Sequence, residues 1–361
     1  MAAIRKLPDW TCPPLRRARR LTAGAIKAQR TGSTAAAEYR ANKAASLLAE
    51  DPHDHPADVV AVRQVLATAL AAQCRYDDAV ITLRQAAMTA GADASMRRHL
   101  VDVWILLGNV HRLQGRYPQA EDVLLRAQAL SREADMEAWR QVAADNAMGI
   151  LCKDTGRYGE AEHLYQRAAT TNTDTTFRAT LLHNFAGLAH ARGDYAAAEP
   201  PARSALRLRT AALGQEHPDV AADIAVLGSV LHGQGRMKEA EEQFMRALTI
   251  YERRYGPDHY EAGVNHGSLG ALYTDMGHFD AAERQYGEAL RIKERVLGPD
   301  HPELAVLANN LAVLYARQGR HETAQIHYRR AVRMFQESLG RDHPTTVACR
   351  LNATRGERPT E

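Results

Sequence analysis

Residues 104–127 contain Trp104-Ile105-Leu106-Leu107-Gly108-Asn109-Val110-His111, then Gly115-Arg116-Tyr117, then Ala120, Leu124 and Ala127. Trp104, Leu107, Gly108 and His111 recur at helical intervals and form one stripe; Tyr117, Ala120, Leu124 and Ala127 form a second. Two amphipathic helices are implied, joined at Gly115, where a residue able to take positive φ at little cost ends the first. The signal is a turn residue with a large side chain two positions on and alanine five positions on. It returns seven times, at Cys74, Gly115, Gly156, Gly193, Gly235, Gly277 and Gly319. The last four stand 42 residues apart, while the earlier gaps are 41, 41 and 37. A fixed period of this length means stacked repeats rather than one globular core, and it shifts the expected function from chemistry toward recognition.

Within each unit, small residues pair with one another (Gly108 with Ala120, Gly149 with Ala161, Gly228 with Ala240, Gly270 with Ala282), and should let the two helices approach closely. Large ones such as Tyr158 with Tyr165 and Phe279 with Tyr286 should fill the space beside them. Numbered with Gly115 at position 15, the unit resembles a tetratricopeptide repeat, with His111 departing from the usual aromatic. A second periodic signature lies between the helix pairs: Gly214-Gln215-Glu216-His217-Pro218, Gly256-Pro257-Asp258-His259-Tyr260, Gly298-Pro299-Asp300-His301-Pro302 and Gly340-Arg341-Asp342-His343-Pro344. Gly, Asp and Pro in this order stop one helix and start the next. Together with the 42-residue period, they resemble the kinesin-light-chain type of array, also widespread in bacterial proteins. Relative to a 34-residue unit, eight extra residues add about 12 Å of helix rise, expected to be shared between the two helices.

The resemblance implies an all-α, right-handed superhelical solenoid of about seven helix pairs with terminal capping helices. We expect residues 1–57 to form a basic N-terminal arm and capping helix, 58–346 the array, and 347–361 a C-terminal cap and frayed tail. A solenoid grows without a larger central core, so 361 residues fit one continuous array.

In such an array the first helix of each pair lines the concave surface, and its inward stripe reads as Asn109 and Arg112, Asn146 and Lys153, His183, Asn184 and His190, His232, and Asn309 and Asn310. Arg112, Lys153, His190 and His232 occupy one position in four successive repeats. A basic ladder beside carboxamides suits an extended, acidic peptide, since Asn both donates to and accepts from a backbone and cations neutralise carboxylates. Further along, Val264, Gly267, Ala271, Val306 and Val313 make the stripe small and apolar. That section either receives apolar side chains of a ligand or is shielded by the C-terminal tail.

Histidines 217, 259, 301 and 343 fall one per repeat, too far apart to share a metal at bond lengths near 2 Å, and a structural turn role is expected. His53-Asp54-His55 resembles a degenerate copy of the same linker. No HExxH, GxSxG, GxxxxGK[ST] or GxGxxG occurs, and no cofactor or metal is expected. The four cysteines (Cys12, Cys74, Cys152, Cys349) are scattered without CxxC spacing, which argues for thiols.

The net charge of +3 hides a local +7 in residues 1–30, leaving −4 for the rest. Leu15-Arg16-Arg17-Ala18-Arg19-Arg20 admits three readings: contact with nucleic acid or an anionic membrane, docking on an acidic partner, or a mobile or solvated helix end, the default. Residues 35–50 look helical. No apolar run is long enough for a membrane span or a secretory leader, and the Ala- and Arg-rich composition suggests a bacterial cytoplasm. The expected function is a scaffold or adaptor that binds a partner protein or extended peptide. A ligand-responsive sensor and an enzyme on a helical scaffold are the alternatives.

Overall fold

In the computed structural model, which describes residues 13–31, 33–49, 55–133, 135–170, 175–299 and 301–355, seventeen α-helices follow one another and no strand occurs among the described residues. They are α1 (Pro13–Arg30), α2 (Thr34–Leu48), α3 (Pro56–Ala71), α4 (Tyr76–Gly91), α5 (Arg97–Leu113), α6 (Tyr117–Ser131), α7 (Ala138–Asp154), α8 (Tyr158–Thr170), α9 (Thr175–Ala191) and α10 (Tyr195–Leu213). After these come α11 (Pro218–Gly233), α12 (Met237–Tyr255), α13 (Tyr260–Asp275), α14 (Phe279–Leu297), α15 (Glu303–Arg317), α16 (His321–Leu339) and α17 (Pro344–Arg355). The helices from α3 to α16 form the seven pairs read from the repeat signal. Residues 1–114 with 118–147 form one compact unit, and residues 115–117 with 148–361 the other. Cys12, His53-Asp54, Asp300 and the end of the expected tail lie outside the described residues.

The turn inside each pair has one geometry. At the end of α11, Gly235 takes φ 77°. Its N–H donates to His232 O at 2.9 Å, and the N–H of Arg236 donates to Leu231 O at 2.9 Å. This crossed pair of bonds satisfies carbonyls the helix would otherwise leave open. Cys74 makes the same turn at φ 58°, the one non-glycine residue with positive φ among the described residues.

Close approach within a pair depends on a glycine in the first helix meeting a large side chain from the second. A Cβ added to Gly149 would lie 2.5 Å from the Tyr165 ring; at Gly228 it would meet Phe244 at 2.8 Å, and at Gly270, Tyr286 at 2.6 Å. The small residue therefore faces the large residue sixteen positions on, and the paired alanines Ala161, Ala240 and Ala282 are fully buried. Tyr165, Phe244 and Tyr286 are among the largest fully buried side chains. In the 42-residue units the second helix is the longer of the pair: α12, α14 and α16 each have 19 residues, against 16, 16 and 15 in α11, α13 and α15.

The linker histidines have a role in the backbone. Nδ1 of His217, His259, His301 and His343 accepts the N–H two residues on, from Asp219 (3.1 Å), Glu261 (3.3 Å), Glu303 (3.3 Å) and Thr345 (3.1 Å). Each imidazole caps the helix that follows, satisfying a donor that the first turn leaves open. Among the described residues, no group of three His, Cys, Asp or Glu side chains could hold a metal ion.

At the N-terminal end, α1 and α2 pack as a further pair. Leu15, Ala18, Ala44 and Leu48 share a core with Val59 and Val62 of α3. The segment 15–20 is thus helical with its apolar residues buried, while Arg16, Arg17, Arg19 and Arg20 are exposed and Arg19 pairs with Asp58 at 2.9 Å. The same amphipathic spacing that makes the arginines look like an arm in the sequence buries the leucine and alanine between them.

Successive pairs are also tied by charge. Gln73 and Arg75 both hold Glu38 (2.8 and 2.6 Å). Gln234 and Arg236 both hold Glu199 (2.9 Å each), which with Arg203 draws its pKa down to about 2. In the second unit the α7–α8 turn lies against the start of α17, where a Cβ on Gly156 would lie 2.7 Å from Pro344 and 3.2 Å from His343.

The shared turn predicts opposite effects at one repeat position. Left-handed backbone strains a residue with a Cβ, so Cys74→Gly should stabilise the chain by about 1 kcal/mol and Gly235→Ala should destabilise it by about the same amount. Chemical denaturation of both variants checks this, and two shifts of the same sign would refute the account.

Candidate functional site

The inward side chains of α9, α11, α13 and α15 enclose a groove of about 250 Å³. Polar groups from His190, Ser229, His232, Ser268 and Asn310 lie along it, and Val264, Gly267, Ala271, Val306, Leu307 and Phe244 supply its apolar floor. Val306 is 49% exposed, a large apolar side chain left open to solvent on this surface. No residue of α17 lines the groove.

Of the residues read from the sequence, His190, His232 and Asn310 meet here, and so do Val264, Gly267, Ala271 and Val306 of the apolar stretch. Lys153 stands close enough to His190 to act on its charge, as does His232; burial, then these two neighbours, lowers the His190 pKa from its ordinary value. A neutral imidazole at this point is a hydrogen-bonding group more than a cation. His183 points elsewhere: its Nδ1 lies 2.7 Å from Asp223 Oδ1, and Arg209 Nε donates to the other oxygen at 2.7 Å, making Asp223 a fully buried, doubly held carboxylate. Asn184, beside His183, is half-buried and does not line the groove. Asn309 is also outside the lining, but its Nδ2 donates to Asn310 Oδ1 at 3.4 Å. Asn109 and Arg112, one turn apart on α5, and Asn146 on α7 are half-buried in the first unit.

The basic ladder differs in one respect from its sequence reading. Lys153 pairs with Asp154 at 3.1 Å, and His232 Nε2 lies 2.8 Å from Asp275, which also takes Arg317 at 2.8 Å. Lys153 thus has a carboxylate beside it on its own helix, and His232 one on the next first helix.

Sequence reasoning missed Lys293. It comes from α14, a second helix, and reaches the groove past Gly263, where an added Cβ would lie 3.0 Å from Ile292 and 3.5 Å from Lys293 Cγ. Lys293 Nζ pairs with Glu303 at 3.1 Å, and Tyr260 Oη donates to the same carboxylate. The glycine beside a stripe position was the available signal.

A tetratricopeptide repeat family model matches residues 100–174, 177–253, 220–295, 286–337 and 303–355. No curated protein matches the chain at the sequence level. Among solved structures, it is similar to the Cut9–Hcn1 hetero-tetramer of the APC/C, with 14% identity and a TM-score of 0.62 over 97% of this chain and 57% of that one. It is also similar to a Rap protein complexed with competence and sporulation factor, with 15% identity and a TM-score of 0.61 over 95% of this chain and 100% of that one. A Podosopora anserina kinesin light chain with nearly identical TPR-like repeats matches 56% of this chain and 98% of its own, at 19% identity and a TM-score of 0.42. At these identities the likeness is one of fold.

Next to Lys293, the Glu261 carboxyl is pushed up to about 7, by burial first and by Glu303 second, with Lys293 opposing. A folded pKa above the ordinary 4.5 means this group favours the fold fully at low pH, and that contribution is lost as pH rises through 7. Glu261→Gln should therefore stabilise by about 2 kcal/mol more at pH 8 than at pH 5. Urea denaturation at both pH values tests this, and an equal effect at each would exclude it.

Proposed function

Because the chain belongs to the tetratricopeptide repeat family, whose repeats generally build protein-interaction scaffolds, we propose that it is a scaffold or adaptor that binds an extended peptide segment of a partner protein along the inward face of its second unit. The observation that carries this reading is the groove itself: hydrogen-bonding groups from His190, Ser229, Ser268 and Asn310 beside an open apolar floor of Val264, Gly267, Ala271 and Val306. The polar groups suit main-chain amides, and the floor suits a small apolar side chain. Since Lys153 and His232 already face Asp154 and Asp275, selection at this groove rests on side-chain size and main-chain geometry more than on ligand charge. The resemblance in fold to a Rap protein bound to competence and sporulation factor supports the reading of a ligand-binding array.

Selection of peptides from a random displayed library on the purified protein tests the proposal. The enriched peptides should share a small apolar residue, and Gly267→Leu should weaken them roughly tenfold or more with helicity unchanged. At Gly267 an added Cβ meets its nearest atom, on Leu307, at 3.6 Å, an ordinary contact, and Gly267 lines the groove. Equal binding by the filled variant would move the site elsewhere.

The contact of Gly156 with His343 and Pro344 favours a second reading, a sensor whose ligand shifts the stack between two arrangements. A change in scattering radius on adding a selected peptide supports it, and an unchanged radius leaves the passive scaffold.

A further inference from the structure

Between α16 and α17 lies a second, open groove of about 540 Å³, lined by Gln325, Arg329, Val332, Arg333, Gln336, Arg350, Ala353 and Thr354. Its meaning follows from the 42-residue register. One repeat upstream, the same positions are Glu283, Gly287, Leu290, Arg291 and Glu294 on α14 and Ala308, Leu311 and Ala312 on α15. There the space is filled by a helix: Tyr328, Ala331 and Phe335 of α16 share a core with Ala308 and Ala312, and Leu290 packs against it. Arg320, at the N-cap of the incoming helix, and Arg330 within it meet Glu283 and Glu294 at 3.5 and 3.4 Å. The terminal groove therefore has the form of a seat for a second helix.

The lining has changed sign relative to that upstream copy. Both glutamates are replaced by Gln325 and Gln336, while arginines stand in place of Gly287 (Arg329) and Ala308 (Arg350). Arg329, Arg333 and Arg350 are exposed. Among the described residues none of the three pairs with a carboxylate, and Arg329 reaches only the carbonyl of Gln325, at 3.3 Å. Elsewhere in this unit, arginines at repeat junctions are answered: Arg192 by Glu162, Arg236 by Glu199 and Arg317 by Asp275. An apolar strip of Val332 and Ala353 flanked by three unanswered guanidinium groups fits an amphipathic helix with carboxylates beside its apolar face.

We propose that the α16–α17 groove docks an acidic amphipathic helix of a partner protein, laid where the second helix of a further repeat would lie. The site is separate from the inward groove and draws its charge preference from Arg329, Arg333 and Arg350.

The test uses the full chain and two stapled helical peptides that copy the apolar pattern of Ala324, Tyr328, Ala331 and Phe335, one flanked by glutamates and its twin by lysines. The glutamate peptide should bind about tenfold more tightly than its twin, as three exposed ion pairs would give. Combined Arg329→Glu, Arg333→Glu and Arg350→Glu should invert the preference, and Lys153→Glu, away from the α16–α17 groove, should leave it unchanged. Arg350→Ala alone, which restores the alanine found one repeat upstream, should cost about threefold and keeps the test open should the triple variant fold poorly. Equal affinity for the twins, or a preference that survives both sets of changes, overturns the proposal. A dimer in sedimentation that the same reversal abolishes would make a second copy the occupant, and would also overturn it.

Discussion

In three of the helix pairs, the contact between a glycine on the first helix and a ring on the second sets how closely the helices approach. A Cβ at Gly149, Gly228 or Gly270 would stand 2.5 to 2.8 Å from Tyr165, Phe244 or Tyr286, a distance at which the two helices must part or tilt. Because each pair is stacked on the last, a tilt in one alters the direction in which all later first helices present their inward residues. The binding face is thus fixed by packing at positions that a ligand never touches.

Much of this is legible in the sequence because it rests on periodic small residues. Glycine at the turn recurs every 42 residues from Gly193 to Gly319, and a glycine or alanine stands seven positions before each turn residue, so the helix pairs and their boundaries can be read directly. The site is less legible because its members are set by neighbours outside the repeat register. His190 and His232 occupy equivalent positions, yet His232 is held by Asp275 while His190 has been driven toward neutrality by burial. His183 is taken up by the buried Asp223, whose other oxygen Arg209 holds. Lys293 enters from a second helix only because Gly263 leaves a path.

The linker histidines show how a residue suited to metal binding can be used up by the backbone. A ring nitrogen that accepts an N–H must carry a lone pair there, so each capping imidazole is required in one neutral tautomer. For His343, burial favours the neutral form as well, lowering its pKa from 6.5. Spacing alone argues against a shared metal, and the caps supply the positive reason for the histidine that returns at four successive junctions.

The contact of Gly156 with His343 and Pro344 also bears on how such a chain can change over evolutionary time. An open stack lengthens by duplicating one unit, because a new pair needs only a neighbour on either side. Where an early turn rests against a late linker, an inserted pair would push those two surfaces out of register and expose both. Copy number between them is then held by geometry, and variation is directed to the face, the linker residues and the ends.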